Sequence, residues 1–228
     1  MSHTPVLTTG AVIKRKLNAI RPVSGSGGGG GAGLVFYYGE TLIPADTVIG
    51  AAKTARDDFI ARLSVLSPET FEEFFGSGSG TVLDDVPLTS NGNAFHILLG
   101  SNSILQETNN NGRFNTTPGG ADYCVMDSGS PLTFVFDNPC AGFGCFFTDM
   151  GDFSKAWTAT IVDEFAVPTV IPIGNTINGP DGSLIFFGWL NTTGLLYSSV
   201  TFTASPAGGS SDAVGIDDIY TPSTGQIT

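Results

Sequence analysis

Apolar residues along most of this chain fall in short runs separated by Gly, Asn, Ser, Asp and Pro, the punctuation of strands joined by turns. From Glu69 onward the runs Thr70 to Phe75, Ala94 to Leu99, Ile104 to Gln106, Tyr123 to Met126, Leu132 to Phe136 and Phe143 to Phe147 read as strands. Trp157 to Val162, Thr169 to Ile173, Leu184 to Trp189, Ser199 to Thr203 and Val214 to Ile219 continue the series, and Leu34 to Tyr38 precedes it. Asp127-Ser-Gly-Ser-Pro131 has the composition of a hairpin turn between two of them. Leu184 to Trp189 is apolar on both parities, as expected of a strand covered on both faces or buried against another chain.

One segment departs from this pattern. Between Pro44 and Val65, residues Ala51, Ala52, Ala55, Phe59, Ile60 and Leu63 recur at helical spacing with charged residues between them, which predicts one amphipathic helix capping the end of the β body. The fold class that follows is all-β, a jelly-roll β-sandwich of about ten strands with that single helix.

Composition agrees, since Gly 31 plus Pro 13 makes 44 of 228 residues, too many turn formers for a helical protein. It also divides the chain. Residues 1–33 form a basic, Gly-rich arm and linker ending in Ser-Gly-Ser-Gly-Gly-Gly-Gly-Gly-Ala-Gly33, residues 34–220 the sandwich domain, and residues 221–228 a C-terminal tail. No Gly-Lys-Ser/Thr follows the glycines, which excludes a phosphate-cradling loop.

Charge follows the same division. Lys14, Arg15, Lys16 and Arg21 precede every acidic residue, so the first 39 positions carry +4 and the remainder 5 − 21 = −16. An acidic body repels nucleic acid, and four cations on an arm suit docking to a partner better than phosphate binding. No apolar run reaches the roughly 18 residues of a bilayer span, and no apolar stretch follows the basic residues as in a secretory leader, so neither membrane insertion nor Sec export is expected. Cys124, Cys140 and Cys145 cannot all pair in one chain, and burial as small hydrophobes suits them better than a zinc site.

Candidate chemistry is sparse. The histidines are His3 and His96, without the context of a nucleophile and its base, which favours a structural or rim role for His96. Acidic pairs stand out more: Glu72 with Glu73, Asp149 with Asp152, and Asp217 with Asp218 inside the apolar closing stretch Ser198 to Tyr220. Three readings fit them: ligands of a structural cation such as Ca²⁺, hydrogen-bonded turn carboxylates, and a glycosidase acid/base pair. Neighbours on a strand point to opposite faces, so only one of Asp217 and Asp218 is expected to face inward, which favours an ion over catalysis. Asp149 is a secondary ligand candidate. Tyr37, Tyr38, Trp157, Trp189, Tyr197 and Tyr220 suit a sugar-stacking platform if exposed, although most are expected in the core.

Five segments in order resemble the jelly-roll domain of bacterial PEP-CTERM exported proteins and related surface proteins. They are the helix leading into Glu69-Thr-Phe-Glu-Glu-Phe74; Gly112-Arg-Phe-Asn-Thr-Thr-Pro-Gly-Gly120; Phe136-Asp-Asn-Pro-Cys-Ala-Gly-Phe-Gly144 with Phe147-Thr-Asp-Met-Gly-Asp152; Gly182-Ser-Leu-Ile-Phe-Phe-Gly188; and Ser199-Val-Thr-Phe202 with Gly215-Ile-Asp-Asp-Ile219. The ending is also similar to MAM-type and some carbohydrate-binding jelly rolls, where a Glu of the first strand and an Asp of the final Ile-Asp-Asp hold a structural cation. That resemblance implies Glu72 with Asp217 or Asp218 as the ligands, and the closing acids are expected to tie the chain's end to the Glu69 to Phe74 strand, directly or through an ion. Glu73 stands where the family usually has Gly, and Cys140 and Cys145 replace aliphatic or aromatic residues.

The exported family carries a signal peptide and a C-terminal Pro-Glu-Pro, apolar helix and basic tail. This sequence has neither and finishes at Ser223-Thr-Gly-Gln-Ile-Thr228. The expectation is therefore a non-enzymatic phage virion surface component, a capsid decoration or tail/fibre protein, bound through its arm to other virion proteins and self-associating as a homo-oligomer. The alternative is an extracellular or cell-surface bacterial glycan-binding or matrix protein.

Overall fold

The structure, a computed structural model, describes residues 33–42, 48–74, 82–99, 104–106, 112–151, 154–205 and 212–228. Lys14, Arg15, Lys16, Arg21, most of the glycine linker and Asp152 lie outside these residues. Strands β1 (Leu34–Thr41), β2 (Pro87–Ser90), β3 (Asn93–Leu99), β4 (Ile104–Gln106), β5 (Tyr123–Asp127) and β6 (Leu132–Cys140) are followed by β7 (Gly142–Thr148), β8 (Ala156–Asp163), β9 (Pro168–Pro172), β10 (Leu184–Asn191), β11 (Tyr197–Ser205) and β12 (Ala213–Tyr220). One α-helix, α1 (Gly50–Ile60), falls between β1 and β2.

The strands form two antiparallel sheets, ordered β1-β10-β7-β12-β5-β4 and β2-β3-β6-β11-β8-β9. Within them, β5 to β12 divide into β5-β12-β7-β10 and β6-β11-β8-β9, the strand order of a jelly roll; β1, β4, β3 and β2 extend its sides. Because β5 and β6 belong to different sheets, the Asp127 to Pro131 turn joins them across the sandwich and is not the hairpin its composition suggests. A turn sequence reports local backbone geometry; which edge each strand then finds is decided by burial.

Between the sheets lies an aromatic core. Phe134 and Phe143 have ring centroids 4.9 Å apart, Phe143 stacks on Trp189 at 5.2 Å, and Phe147 meets Phe202 edge-on at 4.9 Å. Cys124, Cys140 and Cys145 are free thiols buried among these rings. Trp157, Trp189, Tyr197 and Tyr220 are buried too, so they pack the core and offer no stacking platform.

Helix α1 lies flat on the outer face of the first sheet, across β1, β10 and β7, and does not cap an end of the sandwich as its amphipathic pattern alone suggested. Two glycines make the bed. A Cβ on Gly144 would stand 3.1 Å from the Phe59 ring, and one on Gly188 3.2 Å, so the absence of both side chains lets Phe59 settle on the sheet beside Phe186 and Tyr220. Thr41 of β1 receives the N–H of Ala52 and donates to the carbonyl of Ile49, supplying a cap that the helix's own Ile49 cannot. This second apolar layer explains why β7 and β10 are buried along their whole length on both parities.

The chain's end belongs to the same body. Leu63 pairs with Ile227, the N–H of Ser64 donates to the carbonyl of Gln226, and Thr221 is fully buried. The second sheet has a different outer face. Thr158, Thr160, Thr201, Thr203 and Thr133 point outward with Val135, Val162 and Val170, and no α-helix among the described residues lies on them. Thr133 and Thr201 share a hydroxyl hydrogen bond of 2.9 Å on this face.

Candidate functional site

The acids singled out in the sequence converge on one loop, residues 112–122, whose Phe114 is buried in the same apolar cluster as Phe59 of α1, Phe146 of β7 and Tyr220 of β12. Asp217 precedes a β-bulge: it pairs with Phe146, Tyr220 pairs with Gly144, and Asp218 between them has φ +50°. The extra residue keeps Asp217 and Asp218 on the same side of the strand, before Ile219 turns back into the core. The expectation that the two acids face opposite ways fails here, because strict alternation holds only for an unbroken ladder.

Both carboxylates therefore meet the same two threonines. Asp217 Oδ2 accepts the N–H of Thr116 at 2.7 Å, the Thr116 hydroxyl at 3.0 Å and the N–H of Thr117 at 3.3 Å, while its Oδ1 accepts the N–H of Asp218 at 2.8 Å. Asp218 accepts the Thr117 hydroxyl at 2.8 Å and lies 3.2 Å from that of Thr116. Burial first, and the Asp218 charge second, push the Asp217 carboxyl well above the usual carboxylate range; burial also raises Asp218, against the opposing donors from Thr117 and Thr116.

Glu72 secures the far end of the loop. The sequence predicts a strand at Thr70 to Phe75; Phe75 lies outside the described residues, Glu72–Phe74 is a single 3₁₀ turn, and among the described residues of this segment only Glu69 pairs with a strand, exchanging two backbone hydrogen bonds of 2.9 Å with Ile219. Phe71 adopts φ +60°, which ends the extended run, and its N–H is taken at 2.7 Å by the Glu69 carboxylate. The turn aims Glu72 at the loop, where Oε1 accepts the Asn115 amide at 2.7 Å and the N–H groups of Ala121 and Asp122 at 3.0 and 3.2 Å. A Cβ at Gly120 would collide with that oxygen, so a side chain there would push the Glu72 carboxylate out of its present place. Asn115 also donates to the carbonyl of Asp122, closing the loop on itself.

Asp149 holds the loop's start but stands apart from the other three. Its Oδ1 accepts the N–H of Gly182 at 2.9 Å and its Oδ2 lies 3.5 Å from Arg113 Nη1. The final acids and the Glu69 segment are thus tied by backbone pairing at Ile219, whereas the carboxylates of Asp217 and Asp218 go to Thr116 and Thr117. Sequence reasoning missed Glu69, whose buried carboxylate also receives the N–H of Thr89 at 3.2 Å, and it missed the donors Asn115, Thr116 and Thr117. Their signal was the hydroxyl-rich Asn-Thr-Thr-Pro-Gly-Gly run.

Donor chemistry decides what this arrangement does. Ca²⁺ takes six to eight oxygen ligands, but the oxygens of Glu72 and Asp217 already receive N–H and O–H groups, and among the described residues no group of three or more His, Cys, Asp and Glu is placed to hold a metal. As arranged, the set does not fit a resident cation. Neither does it present a pair of acids flanking open space, as a glycosidase requires. It clamps a loop.

Elsewhere, His96 sits between two carboxylates, with Nδ1 3.1 Å from Asp85 and Nε2 3.3 Å from Asp137, which makes it a rim residue on the outer face of the second sheet. A cleft of about 330 Å³ opens where Arg62, Asn191, Thr192 and Thr224 meet the C-terminal residues, with Arg62 Nε donating to the Thr228 carbonyl at 3.0 Å. No protein-family model matches the chain and no curated protein matches it, so the site stands on its own geometry.

Proposed function

We propose that this chain is a non-enzymatic structural and binding protein, a phage virion surface component of the capsid-decoration or tail/fibre kind, carried on its basic N-terminal arm. The observation that carries the non-enzymatic part is the engagement of Glu72, Asp217 and Asp218: these acids, the best candidates for chemistry, are committed to backbone and hydroxyl donors of one loop. Acid–base catalysis needs a carboxyl within reach of a substrate proton. The charge division, +4 on the arm side and −16 on the body, supports docking of the arm to an acidic partner while the sandwich faces outward.

Mass spectrometry of purified virions from the host that carries the gene tests this directly. The chain is expected at the stoichiometry of a structural protein, and its absence from the particles overturns the assignment.

A second reading, an extracellular glycan-binding protein, is favoured by one observation, the open face of threonine, serine and valine with His96 and Asp137 at its border. Rows of hydroxyls match the hydrogen-bonding of sugars. A glycan array read at millimolar ligand separates the two, with binding abolished by Thr201→Val expected only under this second reading.

A further inference from the structure

The two long edges of this sandwich are built differently. In β9 the hydrogen-bonded pairs with β8 are the odd residues, as Ile173 N to Trp157 O and Asp163 N to Val167 O establish, so positions 168, 170 and 172 direct their backbone groups outward. Two of those three are Pro168 and Pro172, which have no N–H, and the edge is thereby blunted against further pairing.

Strand β1 has no such protection. Thr192 N donates to Gly33 O, which sets the parity: Val35, Tyr37, Gly39 and Thr41 direct their backbone groups to β10, and Leu34, Phe36, Tyr38 and Glu40 direct theirs outward. All four have an N–H, and among the described residues none of these outward groups has a partner. At eight residues β1 is the longest edge strand of the fold, and Val35 and Phe36 on it are each 36% exposed.

We propose that β1 is the docking edge for a second copy of this chain, the two β1 strands pairing antiparallel about a two-fold axis at Tyr37. Outward-directed residues must face one another, and among two-fold registers the one centred on Tyr37 matches the most of them: Leu34 opposite Glu40, and Phe36 opposite Tyr38. With no proline in the strand, every narrow pair forms both bonds, about eight in total. Phe36 and Tyr38 then make two cross-strand aromatic pairs. The strand's one charge, Glu40, faces Leu34 and not its own copy, and its carboxylate is held away by the N–H and hydroxyl of Thr176 at 2.8 Å each. This self-complementarity is what selects a second copy as occupant. The two first sheets merge into one, whatever the chain's location in a particle, so the interface goes beyond the function proposed above.

Sedimentation equilibrium of the full-length chain across a range of concentrations tests the idea. A dimer is expected. Phe36→Pro, whose lost N–H takes no part in pairing with β10, should weaken it roughly 100-fold, through bonds lost at two symmetric places. Val170→Pro, the same change on β9, should leave it intact. Tyr37→Cys gives an independent readout, because in this register the two introduced thiols face each other in a wide pair with Cα atoms about 4.5 Å apart and should cross-link on oxidation. A chain that is monomeric at all concentrations overturns the proposal; if Val12→Pro, in the short β-prone run Gly10-Ala-Val-Ile13 of the arm, then produces a dimer, the edge belongs to the chain's own N-terminal segment. A dimer that survives Phe36→Pro and does not cross-link through Tyr37→Cys also overturns it.

Discussion

Asp217 accepts the backbone N–H of Thr116 at 2.7 Å, joining positions 101 residues apart and fastening the loop before β5 to the last strand of the jelly roll. The pairing exists because the bulge at Asp218 holds two successive acids on one side of β12. Asp217→Ala strands three donors of Thr116 and Thr117 in a buried place. A loss of about 2–4 kcal/mol in urea unfolding is expected, with a smaller loss of about 1–3 kcal/mol for Glu72→Ala, whose surroundings are less deeply buried. A change below 0.5 kcal/mol in both variants would show that the loop is not held by these acids.

The same carboxyls set a pH dependence. Burial and the Asp218 charge raise the Asp217 carboxyl well above its ordinary value, and burial raises Asp218, Glu69 and Asp149 as well. The folded chain therefore keeps protons that the unfolded chain releases near pH 4. Such a group contributes fully below its unfolded pKa, and the contribution is lost as pH rises through the folded value. Stability is expected to decline from about pH 4 toward neutrality, and Asp217→Asn to flatten the slope. Urea melts at a series of pH values check this; an identical slope in the variant would remove Asp217 as a source.

Calcium offers a separate discrimination. Since protein donors occupy the oxygens of Glu72 and Asp217, thermal melts in EDTA and in excess Ca²⁺ are expected to superimpose. A ligand held only by the native state raises Tm by mass action. Curves that separate would mean the loop rearranges around an ion.

Packing of α1 depends on the missing side chains beneath Phe59. Gly144→Ala puts a methyl carbon 2.9 Å from Phe186 and 3.1 Å from Phe59, and a loss of about 1–3 kcal/mol by overpacking is expected. Phe59→Ala empties the same space and is expected to cost about 3–5 kcal/mol. If the two changes together cost much less than their sum in a double-mutant cycle, the shared contact is established; strict additivity would argue against it.

Much of the architecture was legible in the residues. Alternating and doubly apolar runs mark eleven of the strands, the spacing of Ala52, Ala55 and Phe59 marks the helix, and the all-β class follows from both. The strand Pro87–Ser90 escaped because four residues headed by proline make too short a pattern, and the false strand at Thr70 to Phe75 arose because nothing local announces φ +60° at a phenylalanine.

What the linear chain determined by itself was periodicity, and hence which residues seek burial: hydrophobic spacing and turn chemistry are local properties. Sheet membership, the seat of α1 over Gly144 and Gly188, and the convergence of Glu72, Asp217 and Asp218 on Thr116 to Asp122 were decided only in three dimensions. Each depends on contacts between residues far apart in sequence, and one inserted residue at Asp218 reverses which face a carboxylate occupies. For that reason the closing acids, conspicuous in the sequence as a cation or catalytic pair, take their meaning from the loop that folds onto them.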